Sequence, residues 1–348
     1  MTSSLEHRRF MQRCFELARH GQGVVAPNPL VGSVVVANGE IIGEGWHRGF
    51  GLAHAEVNAI ASVANKERLK EATLYVNLEP CAHYGKTPPC ANLIVEMGIP
   101  HVVIANRDPF DAVNGKGIEH LASHGVKVEL GVEEAEGREL NKHFFTFNEL
   151  KRPYILLKWA QTKNGILAPI HPKNEKHPTW ISHPATRKIV HQWRVEHPAI
   201  LVGWRTVEND NPELTARDVA GRSPLRIVLD PNNRLKGRYK TFNGAAPSLV
   251  FSAKKPLIEG EFEWVECQPD ALLTTVARVL YERKLNAVMV EGGATTLNAF
   301  LDAGLWDEAR IITGQAEFGE GIAAPRITAT AISELYYAGD QIRLFKRL

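Results

Sequence analysis

The chain has 348 residues, more than one hydrophobic core usually supports, so two domains are expected. It is 44% hydrophobic and 23% charged, an ordinary globular composition, and 41 basic against 39 acidic side chains leave a net charge of only +2, which offers little to a polyanion. Residues 1–20 have no apolar leader core, no window approaches the roughly 18 apolar residues of a membrane span, and four cysteines make no disulfide framework. A cytoplasmic protein that neither crosses a membrane nor binds nucleic acid is expected.

Residues 5–20 carry Phe10, Met11, Cys14, Phe15, Leu17 and Ala18 at helical spacing, and Gly21 ends the run. Cys14 on that apolar face reads as a core thiol. The loop from Ala26 to Gly32 enters a strand, 33–37, and Asn38-Gly39 is a hairpin dipeptide leading to a second strand through Ile41 and Ile42. Asn28, between two prolines, is open to two readings, a turn residue or a site residue. A glycine-rich loop, 46–51, delivers the chain to a helix over 54–64 whose buried stripe is expected to be Val57, Ile60, Ala61 and Ala64. A strand at 73–78, a helix at 91–97 stopped by Gly98, a strand at 101–105, a helix at 118–124 and a strand at 126–130 complete an α/β series. A charged helical linker follows over 132–148.

The second half repeats the alternation without repeating the motifs. Strands are expected at 154–160, 199–202, 225–229, 248–251, 287–291 and 309–313, with helices near 184–195, 270–283 and 295–303. It contains no Gly-x-Gly-x-x-Gly. Glu291-Gly292-Gly293-Ala294-Thr295 at a strand-to-helix junction reads equally as a tight turn or as a phosphate-binding helix start. Asn209 to Arg217 reads as a polar loop. Arg194 and Arg217 are open to two readings, phosphate ligands or ordinary salt-bridge partners.

The chemistry of the first half concentrates between His54 and Cys90. His54, Cys81 and Cys90 supply one imidazole and two thiols, three ligands for Zn²⁺ with a fourth position left for water. Glu56 stands two residues after His54, and Pro80 precedes Cys81. His-x-Glu followed by Pro-Cys and a second Cys is the pattern of zinc nucleobase deaminases, in which the Glu moves protons. Eight residues separate the two cysteines, where Cys-x-x-Cys is usual. Residues two apart on a helix point about 200° apart, so His54 and Glu56 reach one cavity only if His54 sits at the helix entrance. Cys90 opens a helix, whose dipole favours a thiolate. A closed structural zinc completed by His83 is the competing reading. His20, His101, His120 and His124 are not needed as ligands; His47 and His83 are expected near the cavity.

Over nearly its full length the chain resembles the bifunctional riboflavin-biosynthesis deaminase–reductase family. The long loop Glu79-Pro80-Cys81-x-His83-x-Gly85-x-Thr87-Pro88-Pro89-Cys90 is its mark, with Asn28-Pro29-x-Val31-Gly32 and His54-Ala55-Glu56 beside it. Lys158-x-Ala160, Trp180-Ile181, the 206–210 segment, Asn211-Pro212-x-Leu214-Thr215-x-Arg217 and Glu291-Gly292-Gly293 match the reductase half in order. Asn164, Pro178 and Pro231 stand where the family usually has Asp, Ser and Ser.

The resemblance implies an α/β fold: a cytidine-deaminase-like three-layer αβα domain over 1–148 and a dihydrofolate-reductase-like αβ domain over 149–348. It implies zinc on His54, Cys81 and Cys90, Glu56 as proton shuttle and Asn28 as a substrate contact. In the second half it implies substrate contacts at Lys158, Arg194, Leu214, Arg217 and Glu291. NADPH contacts are implied at Ala160, Trp180, Thr206, Asp210 and the turn Gly293-Ala294-Thr295. The implied substrate is a phosphoribosyl pyrimidine, deaminated and then reduced with NADPH, in a homodimer or larger homo-oligomer. The alternatives are a nucleic-acid deaminase with a binding module, a closed zinc module, or a family member with one working half.

Overall fold

The structure is a computed structural model describing residues 4–82, 88–170 and 179–347. It divides into two compact units, Met1–Lys151 and Arg152–Leu348. His83 and Pro178 lie outside the described residues.

The first unit runs α1 (Ser4–Arg19), β1 (Gly32–Ala37), β2 (Glu40–Trp46), α2 (Ala55–Ser62), β3 (Thr73–Leu78), α3 (Cys90–Glu96), β4 (His101–Asn106), α4 (Lys116–Ser123), β5 (Lys127–Leu130), α5 (Glu134–Leu140) and α6 (Lys142–Leu150). Its sheet has the order β2-β1-β3-β4-β5, with an antiparallel hairpin β1–β2, antiparallel β1–β3 and parallel β3, β4 and β5. Alternate residues of the central strands feed opposite faces, as the pleat requires. Val35, Leu74, Val76, Val102 and Ile104 meet Ile60, Ile94 and Leu121 of α2, α3 and α4. Val34, Val36, Tyr75 and Val103 meet Phe10, Met11, Cys14 and Phe15 of α1. The result is three layers, and Cys14 is a fully buried core thiol.

The placement of α2 matters for the site. A Cβ on Gly45 would lie 2.3 Å from Ala59 N, and one on Gly43 2.6 Å from Ala59 O, so two glycines of β2 admit the helix backbone. That close seat changes the expected stripe. Ala55, Glu56, Ala59 and Ile60 are buried, while Ala61 and Ala64 are exposed. Glycine-lined strands accept a face of small residues, which hydrophobic periodicity alone does not single out.

The second unit runs β6 (Tyr154–Gln161), β7 (Ile166–Ala168), α7 (Pro184–Glu196), β8 (Ala199–Gly203), α8 (Trp204–Asp210), β9 (Leu225–Leu229), β10 (Lys236–Arg238), β11 (Ser248–Ser252), β12 (Leu257–Glu259), β13 (Glu263–Glu266), α9 (Leu272–Glu282), β14 (Ala287–Val290), α10 (Ala294–Asp302), β15 (Glu308–Thr313), β16 (Ile322–Ala323), β17 (Ser333–Tyr337) and β18 (Asp340–Lys346). Nine strands form one sheet, β13-β11-β9-β8-β14-β6-β15-β18-β17. Those from β13 to β15 are parallel; β18 and β17 are antiparallel additions.

Several elements of this unit depart from the sequence reading. Residues 204–210 form a helix that takes in Asn209 and Asp210, the first two residues of the expected polar loop; seven residues are too few for a helical period to register. β7, β10, β12, β13, β16, β17 and β18 have no counterpart in the sequence reading. All five residues of β17 are exposed, so it carries no buried alternation to read, and its pairing depends on β18.

Candidate active sites

In the first unit, β3 runs out at Leu78 and Glu79-Pro80-Cys81 leaves its carboxyl end, where parallel sheets place ligands. The Glu79 carboxylate is buried and accepts four backbone amides: Asp108 at 3.2 Å, Gly115 at 2.9 Å, Gly117 at 2.9 Å and Ile118 at 3.3 Å. It ties the turn before Cys81 to the start of α4. Gly117 completes the tie, since a Cβ there would lie 1.9 Å from Pro80 O.

Cys90 begins α3, and its amide points at Cys81 Sγ, 3.4 Å away. His54 precedes α2 in an extended conformation, φ −72° and ψ 166°, so its ring is free of the helical phase that governs Glu56. Its Nδ1 lies 3.6 Å from Cys81 Sγ and 3.3 Å from Cys90 Sγ. The three donor atoms all lie within 4.8 Å of one another. Zinc bonds of about 2.0–2.1 Å to nitrogen and about 2.3 Å to sulfur, at tetrahedral angles, separate such donors by roughly 3.6 Å. Both His54–sulfur separations lie near that value, so the set fits a zinc ion.

Glu56 is buried beside this set, and burial pushes its carboxyl up to about 7, against the pull of His54. A carboxyl near neutrality can both take and return a proton. The hydrogen bond with Cys90 and the His54 imidazole hold the Cys81 thiol down to about 4, against its burial. Cys81 and burial together push Cys90 up. His47 is buried next to His54, with ring centroids 5.5 Å apart. Asn28 Nδ2 donates to His47 Nε2 at 3.0 Å, which leaves Nδ1–H to donate to Ala53 O at 3.1 Å. Asn28 is therefore anchored at the wall of the site.

Asp108 was passed over in the sequence. It follows β4, is buried, and burial raises its carboxyl to about 7, with Glu79 and Cys81 as negative neighbours. The available signal was its position just past the end of a parallel strand.

In the second unit, a cavity of about 1280 Å³ opens along the carboxyl ends of β6, β8, β9 and β14. Lys158, Arg194, Leu214, Arg217 and Glu291 line it. So do Ala160, Trp180, Thr206, Asp210 and the turn Gly293-Ala294-Thr295 that starts α10. Positions spread over more than 130 residues thus share one wall.

At its centre Arg194 grips Glu291 with two bonds, Nε to Oε1 at 2.9 Å and Nη2 to Oε2 at 3.0 Å, while Nη1 donates to Thr215 O at 3.0 Å. Lys158 Nζ lies 3.5 Å from Glu291 Oε2. Burial drives the Glu291 carboxyl up, but Arg194 and Lys158 overcome it and hold it at about 2. Burial lowers Lys158, opposed by Glu291. A phosphate at Arg194 would have to displace Glu291. Arg217 is freer: it is half-exposed and lies 3.7 Å from Glu213 and 3.9 Å from Asp218. Asp210 is raised to about 6 by burial.

Two non-glycine residues on the wall, Asn211 (φ 44°) and Leu214 (φ 57°), hold left-handed conformations. Neighbouring side chains fix that loop. Thr241 Oγ1 donates to Pro212 O at 2.7 Å, Asn211 Oδ1 accepts from Lys240 N at 2.8 Å, and the buried Arg226 donates to Glu213 O at 3.3 Å. Of the altered family positions, Pro231 lines the cavity, and Asn164 accepts from Thr162 Oγ1 at 2.6 Å.

Comparison with known proteins matches residues 4–106 to the cytidine and deoxycytidylate deaminase zinc-binding region and residues 153–333 to the RibD C-terminal domain. The chain is 39% identical over 333 residues to the riboflavin biosynthesis protein RibD of Aquifex aeolicus, covering 94% of this chain and 92% of that protein. It is 43% identical over 332 residues to the RibD of Synechocystis, covering 93% and 87%. Among solved structures it is similar to a diaminohydroxyphosphoribosylaminopyrimidine deaminase/5-amino-6-(5-phosphoribosylamino)uracil reductase from Thermotoga maritima, at 36% identity and a TM-score of 0.89, covering 99% of both chains. It is also similar to Acinetobacter baumannii RibD, at 31% identity and a TM-score of 0.85, covering 99% of this chain and 100% of the other.

Proposed function

The chain belongs to the RibD family of bifunctional riboflavin-biosynthesis enzymes, and we propose that residues 1–148 carry its zinc-dependent deaminase and residues 149–348 its NADPH-dependent reductase. The substrate of the first step is 2,5-diamino-6-(5-phosphoribosylamino)pyrimidin-4-one. Water replaces its ring amino group and ammonia leaves. Ribosyl C1 then accepts a hydride, which NADPH would supply, as its bond to the ring oxygen breaks and that oxygen takes a proton, giving 5-amino-6-(5-phosphoribitylamino)uracil. The observation that carries the first assignment is the convergence of His54 Nδ1, Cys81 Sγ and Cys90 Sγ beside a buried Glu56.

His54, Cys81 and Cys90 would hold zinc, which would supply a water of lowered pKa. Glu56 takes a proton from that water and returns it to the departing amine. Its raised pKa suits both transfers. Asn28, fixed by His47, offers a polar contact to the pyrimidine.

In the reductase, NADPH supplies the hydride. Lys158 and Glu291 face the reacting end of the substrate, and Arg194 holds Glu291 in place. Leu214 packs against the substrate and Arg217 binds its 5-phosphate. Ala160, Trp180, Thr206 and Asp210 would hold the cofactor, with the turn Gly293-Ala294-Thr295 at the start of α10 available to its diphosphate.

A coupled assay tests the division of labour. Chelator should stop ammonia release from the diaminopyrimidine and spare NADPH oxidation when the deaminated intermediate is supplied. Loss of both steps, or of neither, overturns the assignment.

We further propose a homodimer or larger homo-oligomer. β17 forms one edge of the sheet and exposes Leu335, Tyr336 and Tyr337, a surface fit to pair with another copy. Sedimentation of Tyr336→Lys should give a smaller species than the parent chain; an unchanged size removes β17 from the interface. Among the described residues no helix is long and apolar enough to cross a membrane. Four unpaired thiols support a cytoplasmic location, which cell fractionation tests.

A further inference from the structure

Helix α7 sends two polar side chains, His191 and Arg194, to the wall of the second unit's cavity, one helical turn apart. Arg194 is occupied by Glu291 and by Thr215 O. His191 is buried, and its Nε2 lies 3.2 Å from Asp218 Oδ2. Its Nδ1 is also buried and has no hydrogen-bond partner among the described residues. Burial, joined by the positive charge of Arg194, holds the imidazole down to about 4 against the pull of Asp218. The ring is therefore neutral at neutral pH and has one N–H. A carboxylate only accepts, so that N–H is at Nε2 and donates to Asp218.

Arg217 lies between the two attachments to α7. On one side Thr215 O accepts from Arg194 Nη1 at 3.0 Å; on the other Asp218 accepts from His191. From beneath, the buried Arg226 on β9 donates to Glu213 O at 3.3 Å. The Arg217 guanidinium is framed by two acids, with Nη1 3.7 Å from Glu213 Oε2 and Nε 3.9 Å from Asp218 Oδ1. Both separations exceed hydrogen-bond length. The acids orient the guanidinium through charge and leave its N–H groups open to an anion.

An exposed arginine has many rotamers, and holding an anion with it costs the entropy of selecting one. Asp218 is exposed as well, and a carboxylate free to swing would compete with a phosphate for the neighbouring guanidinium. A bond from a buried, immobile ring removes that freedom. The same ring keeps one nitrogen unmatched, a cost that an apolar side chain of similar size would avoid.

We propose that His191 is a positioning residue of the reductase: by fixing the Asp218 carboxylate it sets the guanidinium of Arg217 to receive the substrate's 5-phosphate. The proposal rests on the reductase reading above, in which Arg217 is the phosphate contact, and adds the residue that prepares it. His191 acts through Asp218 and Arg217 rather than on the reacting carbon, so its effect falls on substrate affinity more than on the hydride step.

The test uses the full chain, with the deaminated substrate and with the same compound lacking its 5-phosphate. His191→Ala and Asp218→Ala should each raise KM for the phosphorylated compound roughly 5- to 10-fold, with a much smaller change in kcat. Neither should alter the kinetics of the dephosphorylated compound appreciably. His191→Gln keeps an N–H donor at similar reach and should recover much of the affinity. In an Arg217→Ala background, His191→Ala should add little further loss. Asp218 is exposed, so its variant decides the matter if His191→Ala does not fold. Equal losses with and without the 5-phosphate, full additivity with Arg217→Ala, or a lowered KM in Asp218→Ala, as relief of repulsion would give, overturn the proposal. A raised KM in Arg217→Ala alone refutes the role of His191 and leaves the phosphate reading standing. An Arg217→Ala variant with the parent's KM refutes the phosphate reading, and the proposal falls with it.

Discussion

His54 Nδ1 lies 3.3 Å from Cys90 Sγ although 36 positions separate the two residues. The meeting is built from two helix starts. His54 is the last extended residue before α2, and Cys90 is the first residue of α3. Both helices pack on one face of the sheet, and Cys81, leaving the end of β3, completes the set.

Glu56 enters the same site from the first turn of α2, and the role proposed for it there is proton transfer. Glu56→Gln should retain zinc, measured by metal content, and lose ammonia release by about 10²-fold or more. The amide keeps the shape of the side chain and cannot accept a proton. Turnover near the parent rate would remove Glu56 from the mechanism.

Glu79 holds the frame of that site through four amide contacts. Glu79→Ala leaves buried N–H groups unmatched and should destabilise the first unit by about 3 kcal/mol, read by denaturant unfolding. Zinc affinity should fall with it, because Cys81 leaves the same turn. A variant as stable as the parent would show that α4 is anchored by packing alone.

Glu291 makes acid stability in the second unit depend on two cations. Its folded pKa is about 2 against an ordinary 4.5. Depression of an acid's pKa stabilises the fold fully above the unfolded value. That contribution, on the order of 3 kcal/mol, is lost as pH falls from 4.5 toward 2. All tryptophans except Trp46 belong to the second unit, so their fluorescence follows its unfolding. Arg194→Met should flatten the pH dependence in this window. A parent chain whose second unit shows no acid dependence between those limits would contradict the electrostatic account.

Arg217 lines the second unit's cavity with its donors less committed than those of Arg194. Arg217→Ala should raise the KM of the reductase step about 10-fold and leave deamination unaltered. Arg194→Ala should instead lower kcat, because releasing Glu291 disturbs the reacting end. Identical kinetic signatures for the two variants would erase the distinction.

The sequence alone singled out the candidate residues of the first site and most of the framework. His54, Glu56, Cys81 and Cys90 were legible because a metal restricts ligand type and because a strand end or helix start is a local event in the chain. Buried parallel strands such as β3, β8 and β14 were legible because their apolar runs are continuous. Tertiary structure decided what depends on partners distant in sequence. The face of α2 was set by glycines of β2, β17 exists only through β18, and Arg194 turned toward Glu291, 97 positions away. Hydrophobic pattern encodes burial along one element. Which buried charge meets which is fixed only when the strand ends are brought side by side.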